Sequence, residues 1–303
     1  MKVISYLAGV PSPHKNPHKT EVLRRFAAGV NVCGDVGIAH TSSKIINSDV
    51  GIIQGWAHAG SPNTGHLQLR KQVSSNIHNK HTIIVDSNLF NYNLGKLYHI
   101  HYSRYSMDGV FPTTGNYFRD TVDPNRWKQI SQDLQLSLKD WRTDGKHILL
   151  ACQRNGGWSM DTYSVTDWVA NTVNKLRKYT DRPIVVRGHP GDKNAVRYLS
   201  QKNVDWQLSR KEKITDDFKN AWATITYNSS PGVASAIEGI PVFVTDPNPG
   251  VSQACEVANT NLADIENPQV FERQQWVEAL SMSHWKFEEL SNGSAWAHMR
   301  SYV

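Results

Sequence analysis

Apolar residues in the first half of the chain come in short runs separated by amphipathic stretches. Residues 2–10 read as a buried strand, 20–29 as a helix with Thr20 as a cap, and 30–33 as a second strand. Another apolar run covers 49–55, a helical period covers 65–80, and the β-branched run Thr82-Ile83-Ile84-Val85 closes on Asp86 before the polar pair Ser87-Asn88. Between residues 98 and 141 the period fades into an aromatic and polar stretch, with a helix expected over 126–136 and a linker turn at 141–145. The rhythm then restarts. Strands are expected at 147–152, 183–187, 223–227 and 242–245, and helices at 166–179, 216–221 and 230–238. A helical end over 268–300 has Asn267 as cap, Pro268 in the first turn, and Trp276, Leu280, Trp285 and Trp296 as packing anchors. One strand and one helix per roughly 30–40 residues predicts βαβ units and an α/β fold of parallel sheets flanked by helices. The linker turn divides the chain into domains 1–146 and 147–303. In such sheets ligands meet the loops at the carboxyl ends of the strands.

Composition changes this picture in one respect. The 303 residues are 39% hydrophobic and 10% aromatic, which excludes disordered, collagenous and coiled-coil classes. The net charge of +6 is uneven: residues 1–150 carry 17 Lys+Arg against 10 Asp+Glu, and the rest 16 against 17. Ten of the 13 histidines also lie in the first half, which therefore grows more cationic as pH falls through about 6.5. A basic first domain points to an anionic partner such as nucleic acid, phosphate or an acidic polymer, or else to a merely basic surface. Cys33, Cys152 and Cys255 are odd in number, far apart and outside any metal-ligand spacing, which fits a reducing cytosol. The N-terminal residues lack a signal-peptide pattern and no run reaches 18 apolar residues, so the expectation is a cytoplasmic protein without a membrane span.

Three loops that follow strands in the second half carry the chemistry. In Thr226-Tyr227-Asn228-Ser229-Ser230-Pro231-Gly232, a strand ends at Asn228 and a helix begins with Ser229 or Ser230 as cap. Its free N–H groups and hydroxyls suit an anion, although a serine cap alone has a plain structural reading. Glu238 ends that helix, where the dipole disfavours a carboxylate by roughly 0.3–1 kcal/mol, so it needs a bonding partner. The helix start and Glu238 lie about 8 residues or ~12 Å apart, a span matching the phosphates and ribose of a nucleotide. Arg187-Gly188-His189-Pro190-Gly191-Asp192 places a cation and an imidazole after the second strand, or is simply a turn. Gln153-Arg154-Asn155-Gly156-Gly157 offers a glycine pair beside Arg154, but it matches neither the Rossmann glycine fingerprint nor the P-loop.

With these motifs the chain resembles the GT-B class of nucleotide-sugar glycosyltransferases, in which a His-Pro loop precedes an Asn-Ser-Ser loop and a short helix ending Glu-Gly-Ile-Pro. It is similar to capsule-, sialyl- and Kdo-type transferases and to phage-encoded sugar transferases. Arg273-Gln274-Gln275-Trp276, Trp285-Lys286-Phe287-Glu288-Glu289 and Gly293-Ser294-Ala295-Trp296 carry the phage likeness. The resemblance covers residues 147–300 and is weak before them. It implies two Rossmann-like domains facing a cleft, the acceptor held by the first and the donor by the second, with no required metal. Donor contacts are then Gln153, Arg154, Arg187, His189, Asn228, Ser229 and Ser230, with Glu238 on the ribose and a UDP-sugar as donor. No Asp-X-Asp pair and no zinc-type cluster is found, and His99-X-His101 has an ordinary structural reading.

An inverting transfer needs a base for the acceptor hydroxyl. Asp108 is the first candidate, followed by Asp86, with His58 a further loop candidate. His14, Lys15, Lys19, Arg24, Arg70, Lys71 and Arg104 form the expected nucleic-acid-binding set. Trp56, Tyr102, Tyr105, Phe111 and Tyr117 are available to stack on a base. The phage likeness makes a hydroxymethylated pyrimidine in double-stranded DNA the first acceptor and a bacterial surface polysaccharide the second. A catalytically silent DNA-binding protein and a nucleotide-sugar epimerase are readings of the same fold.

Overall fold

A computed structural model describes residues 1–57, 61–93, 101–108, 122–156, 160, 163–200 and 205–303. The chain opens with β1 (Lys2–Tyr6), α1 (Pro17–Val32), β2 (Val36–His40), β3 (Ser48–Gln54), α2 (Gly65–Ser74), β4 (Asn79–Ser87) and β5 (Tyr102–Met107). It continues with α3 (Pro124–Leu134), β6 (His147–Ala151), α4 (Val165–Leu176), β7 (Ile184–Arg187), α5 (Ala195–Leu199), β8 (Gln207–Leu208) and α6 (Ile214–Phe218). The remaining elements are β9 (Ala221–Thr226), α7 (Pro231–Ile237), β10 (Val242–Val244), β11 (Ala258–Asn259), α8 (Gln274–Ser281), β12 (His284–Lys286), α9 (Phe287–Ser291) and α10 (Ser294–Met299).

The strands form two six-stranded sheets, ordered β12-β5-β4-β3-β1-β2 and β11-β10-β9-β6-β7-β8. In the first, β1 to β4 pair in parallel, whereas β5 pairs antiparallel with both β4 and β12. In the second, every pairing is parallel. Each order reverses once, between β1 and β3 and between β6 and β9, and a reversal of this kind opens a crevice at the carboxyl edge. Parallel strands covered on both faces explain the continuous apolar runs. Ile83 and Val85 face α1 and the C-terminal helices, while Ile84 faces Leu69 and Val73 of α2. In the second sheet Ile148 and Leu150 pack with α4, and Leu149 packs with Ala234 and Ile240.

Residues 30–32 are helical and Cys33 caps the helix rather than forming a strand, because α1 carries a stripe of Val22, Leu23, Phe26, Ala27 and Val30 that runs on towards the positive φ of Gly34. Gly29 is needed within it, since a Cβ there would lie 1.9 Å from the Leu290 carbonyl oxygen. The helix expected over 65–80 stops at Ser74, and Asn76 at φ 55° turns the chain into β4. The expected C-terminal helix breaks into α8, β12, α9 and α10, and residues 268–273 are not helical. Asn259 holds that extended stretch by bonding both backbone groups of Gln269.

The chain divides into two compact units, one of Met1–Asn88, His99–Val122 and Ser281–Val303, the other of Leu89–Tyr98 and Asp123–Leu280. The break expected at 146 therefore shifts. The stretch before β6 belongs to the second unit because Arg142 donates to Phe218 O and Ala221 O, and Lys139 N to Ile237 O. The last segment joins the first unit through β12 on β5 and through Trp296, whose indole is 1% exposed and donates to Asp35 Oδ2 at 2.9 Å. Trp296→Ala should lower the free energy of unfolding, measured in urea, by roughly 3–5 kcal/mol. A loss below about 1 kcal/mol would contradict this docking.

Candidate functional site

The carboxyl edge of the second sheet collects the loops after β6, β7, β9 and β10. Asp192 joins the first two: its carboxylate accepts from Asn155 N at 3.2 Å, Asn194 N at 3.0 Å and the Tyr198 hydroxyl at 2.8 Å. Burial would raise its pKa, but these bonds and the Arg154 charge hold it below the ordinary carboxylate value. The His189 imidazole accepts the Gly191 N–H on Nδ1 at 3.0 Å, which fixes the tautomer with the proton on Nε2. Burial and then Arg154 lower its pKa, with Asp192 opposing, so His189 is a neutral N–H donor at pH 7. Arg154 is exposed, and Gln153 is buried at the end of β6.

Strand β9 lies two strands from β7, about 10 Å across the sheet. After it, the Ser229 hydroxyl is buried with no hydrogen-bond partner, as is the Thr226 hydroxyl. Ala254 packs against Gly232, where an added Cβ would sit 3.2 Å away, and this brings Gln253 to the same end of α7. Gln253 is 5% exposed, and both atoms of its amide lack a partner. Polar groups orphaned in this way cost stability unless a ligand engages them. Ser230 is exposed at the helix cap, and Asn228 bonds Asp246 at 2.5 Å, linking the loops after β9 and β10.

Two expected donor residues have other work. Arg187 donates to Asp217 at 2.5 Å, Lys211 O at 3.0 Å and Glu212 O at 2.8 Å, so its guanidinium is a strut between β7 and α6 rather than a free cation. Glu238 does find the partners its position demands, Tyr92 at 3.0 Å and Lys139, and it caps the end of α7 opposite Ser230. Burial and the Glu238 carboxylate push the Tyr92 phenol well above its ordinary pKa, keeping it a donor. Through these two bonds Glu238 also anchors the segments around residues 92 and 139.

In the first unit Arg70 extends under the carboxyl edge, donating from Nε to Gly9 O at 2.8 Å. Gly55, at φ 80°, leaves room for it, since a Cβ there would be 3.0 Å from Arg70 Nη1. Asp86, at the end of β4, accepts from Arg104 Nη2 at 3.2 Å. Burial lowers the Arg70 pKa to about 10, with Asp86 opposing. Lys19 is lowered by burial and by Arg70, again with Asp86 opposing. One partly exposed carboxylate thus faces three cations. Asp108 is elsewhere. Because β5 runs antiparallel, Asp108 meets the start of β4, accepting from Thr82 N at 2.7 Å, Asn76 at 3.1 Å and His81 at 3.0 Å. That is about 13 Å along the strand from Asp86, at the opposite edge, and the role is to hold a turn at φ 51°. His58 and His99 lie outside the described residues, as do Phe111 and Tyr117.

The basic set does not form one face. His14, Lys15 and Arg24 are exposed, Lys19 is half-buried, Arg70 and Arg104 are buried, and Lys71 is bonded to Ser61 O and Asn63. Tyr102 and Tyr105 are core residues of β5 and cannot stack on a base. Sequence reasoning missed Thr226, Asp192 as the link between loops, and Gln253. The last stands in an irregular stretch and gave no periodic signal. Among the described residues no group of three or more His, Cys, Asp or Glu side chains is placed to hold a metal, and no helix is long and apolar enough to cross a membrane.

The fold class is α/β with two Rossmann-like units, the class called GT-B among glycosyltransferases. Over its whole length the chain superposes on all of "Thermosulfurimonas dismutans KpsC, beta Kdo 2,7 transferase", with a TM-score of 0.52 at 13% identity. The beta Kdo 2,4 transferase of KpsC from the same organism gives 0.46 at 10% identity, over 94% of this chain and 91% of that one. UDP-GlcNAc 2-epimerase from Methanocaldococcus jannaschii gives 0.35 at 12%, over 84% and 76%. No family profile matches the chain, and no characterised protein matches it by sequence.

The His189 ring should titrate below about pH 6.5 in an NMR titration, and Asp192→Asn should lower its midpoint further by removing the anion that favours protonation. Since the unfolded chain binds this proton more tightly, His189 subtracts stability as pH falls below about 6.5. A midpoint above about 7 would contradict the assigned tautomer and surroundings.

Proposed function

We propose that this protein is a nucleotide-sugar-dependent glycosyltransferase that extends a saccharide acceptor. The observation that carries the reading is the set of unsatisfied polar groups at one carboxyl edge, Ser229 Oγ, Thr226 Oγ1 and the Gln253 amide. They share that edge with the neutral His189 donor and exposed Arg154. Hydroxyl, amide, imidazole N–H and guanidinium are the donors a diphosphate requires, and cationic and N–H groups stabilise charge that grows on a leaving phosphate. Asp86 takes the base role. As the acceptor oxygen bonds to the anomeric carbon, the bond from that carbon to the donor phosphate breaks. The hydroxyl proton passes to the base, and the electron pair of the broken bond leaves with the donor phosphate. Arg104 positions the Asp86 carboxylate through its hydrogen bond.

A surface-polysaccharide acceptor is favoured over DNA. A duplex needs a continuous row of cations on its phosphates, and burial of Arg70 and Arg104 breaks the row that the sequence offered. The similarity in fold to a solved Kdo transferase supports the saccharide reading. A UDP-sugar is the first donor candidate.

Thermal stabilisation by a panel of UDP-, GDP- and CMP-sugars is the first test. Saturation at 100 times Kd adds about 2.7 kcal/mol of stability, and Ser229→Ala and His189→Ala should each diminish the shift. Asp86→Asn should retain the shift but lose at least ~10²-fold in turnover, whereas Asp108→Asn, if folded, should keep turnover within about threefold. No stabilisation by any of the panel, or normal turnover in Asp86→Asn, would sink the respective assignment.

A further inference from the structure

One groove of the first unit is unused by this mechanism. It lies along the N-terminal half of α1 beside Phe287, has a volume of about 510 Å³, and is lined in part by His14, Pro17, His18, Thr20, Arg24 and Phe287. That volume suits one or two sugar rings. Its walls combine flat rings with positive charge. The His101 ring stacks on Phe287 with centroids 4.9 Å apart and on His18 at 6.3 Å, and the Arg25 guanidinium carbon lies 4.9 Å from the Phe287 centroid.

The charges on the groove are not balanced within it. Glu21 is the acid on its wall, and it accepts from Arg25 Nε at 2.7 Å. Arg24 and His14 have no hydrogen-bond or ion-pair partner among the described residues. Thr20 is 6% exposed, and its hydroxyl is buried with no partner, although the residue forms part of the wall. An unmatched guanidinium, an orphaned hydroxyl and an aromatic floor together describe a site for a ring that bears a negative charge.

We propose that this groove binds an anionic sugar unit of the acceptor, with the ring against Phe287 and its charged group on Arg24 and His18. The inference rests on the transferase reading for the word acceptor, but the binding itself is independent of it. A duplex fits less well, because Arg70 and Arg104 are buried and leave no continuous row of cations for its phosphates. The histidines add a pH dependence. Burial, then Lys19 and His101, disfavour the charged form of His18 in the free protein. The groups facing it are Lys19, His101, His14 and Arg24, opposed by Glu21, whose charge Arg25 shares. A bound anion reverses that balance and favours His18 protonation, so binding strengthens as pH falls from about 8 to about 5.

Calorimetry on the full chain with trigalacturonate as the acidic probe and maltotriose as its neutral counterpart tests this. Trigalacturonate should bind, more tightly at about pH 5 than at about pH 8. Arg24→Ala, an exposed change that spares the core, should weaken it roughly tenfold, and His18→Gln should abolish the gain at low pH. No saturable binding, equal binding of maltotriose, or binding indifferent to Arg24→Ala would overturn the proposal. Competition by hydroxymethylated duplex DNA with the same Arg24 dependence would overturn it in favour of nucleic acid. Stabilisation by a sugar nucleotide without trigalacturonate binding defeats the groove alone. Arg24-dependent binding without any sugar-nucleotide effect defeats the transferase reading alone.

Discussion

Every pairing in the second sheet is parallel, so each strand delivers its last residue to the same edge. A sheet covered on both faces leaves few other places for polar chemistry, and the polar residues following β6, β7 and β9 gather there. The reversal of strand order between β6 and β9 separates the helices that follow them onto opposite faces: α4 packs on Ile148 and Leu150, and α7 on Leu149. What remains at the edge is a crevice whose side chains are held by one another, with Asp192 tying two loops and Asp246 tying two more. The hydroxyls and amide left over within that scaffold are where a ligand has something to satisfy.

The first unit applies the same geometry with a different balance of charge. Arg70 and Arg104 are buried near one carboxylate, and burial of a cation is tolerated when an anion and hydrogen bonds accompany it. The basic surplus in the sequence therefore divides into two parts. Some of it is internal and organises Asp86, and some of it, at Lys15 and Arg24, is exposed near the start of α1. A net charge computed from sequence cannot separate those two parts, because both count the same.

This explains which features were legible in advance. Runs such as Ile83-Ile84-Val85 and Ile148-Leu149-Leu150 declare buried parallel strands, and the loops that follow them come with the strands. The positions of His189, Arg154 and Ser229 after their strands were legible for that reason. Asp108 was not, since its place depends on β5 running antiparallel, and no local pattern states a strand's direction. Glu238 illustrates a partial success: the helix dipole correctly demands a bonding partner, but Tyr92 and Lys139, distant in sequence, supply it. Nor does periodicity reveal that His284–Lys286 leaves a helical stretch to pair with β5, because three residues are too few to show a period.

The central claim is that the carboxyl edge of the second sheet holds the donor nucleotide through groups that are otherwise unsatisfied. Amide and imidazole NMR spectra of the whole chain, recorded as UDP and CMP are added separately, test it most directly. The account predicts that at least one of them shifts the signals of Ser229, Ser230, Gly232, the Gln253 side-chain amide and His189 Nε2–H together, with Glu238 and its neighbours little changed. Saturating shifts confined to other residues, or none with either nucleotide, would contradict it.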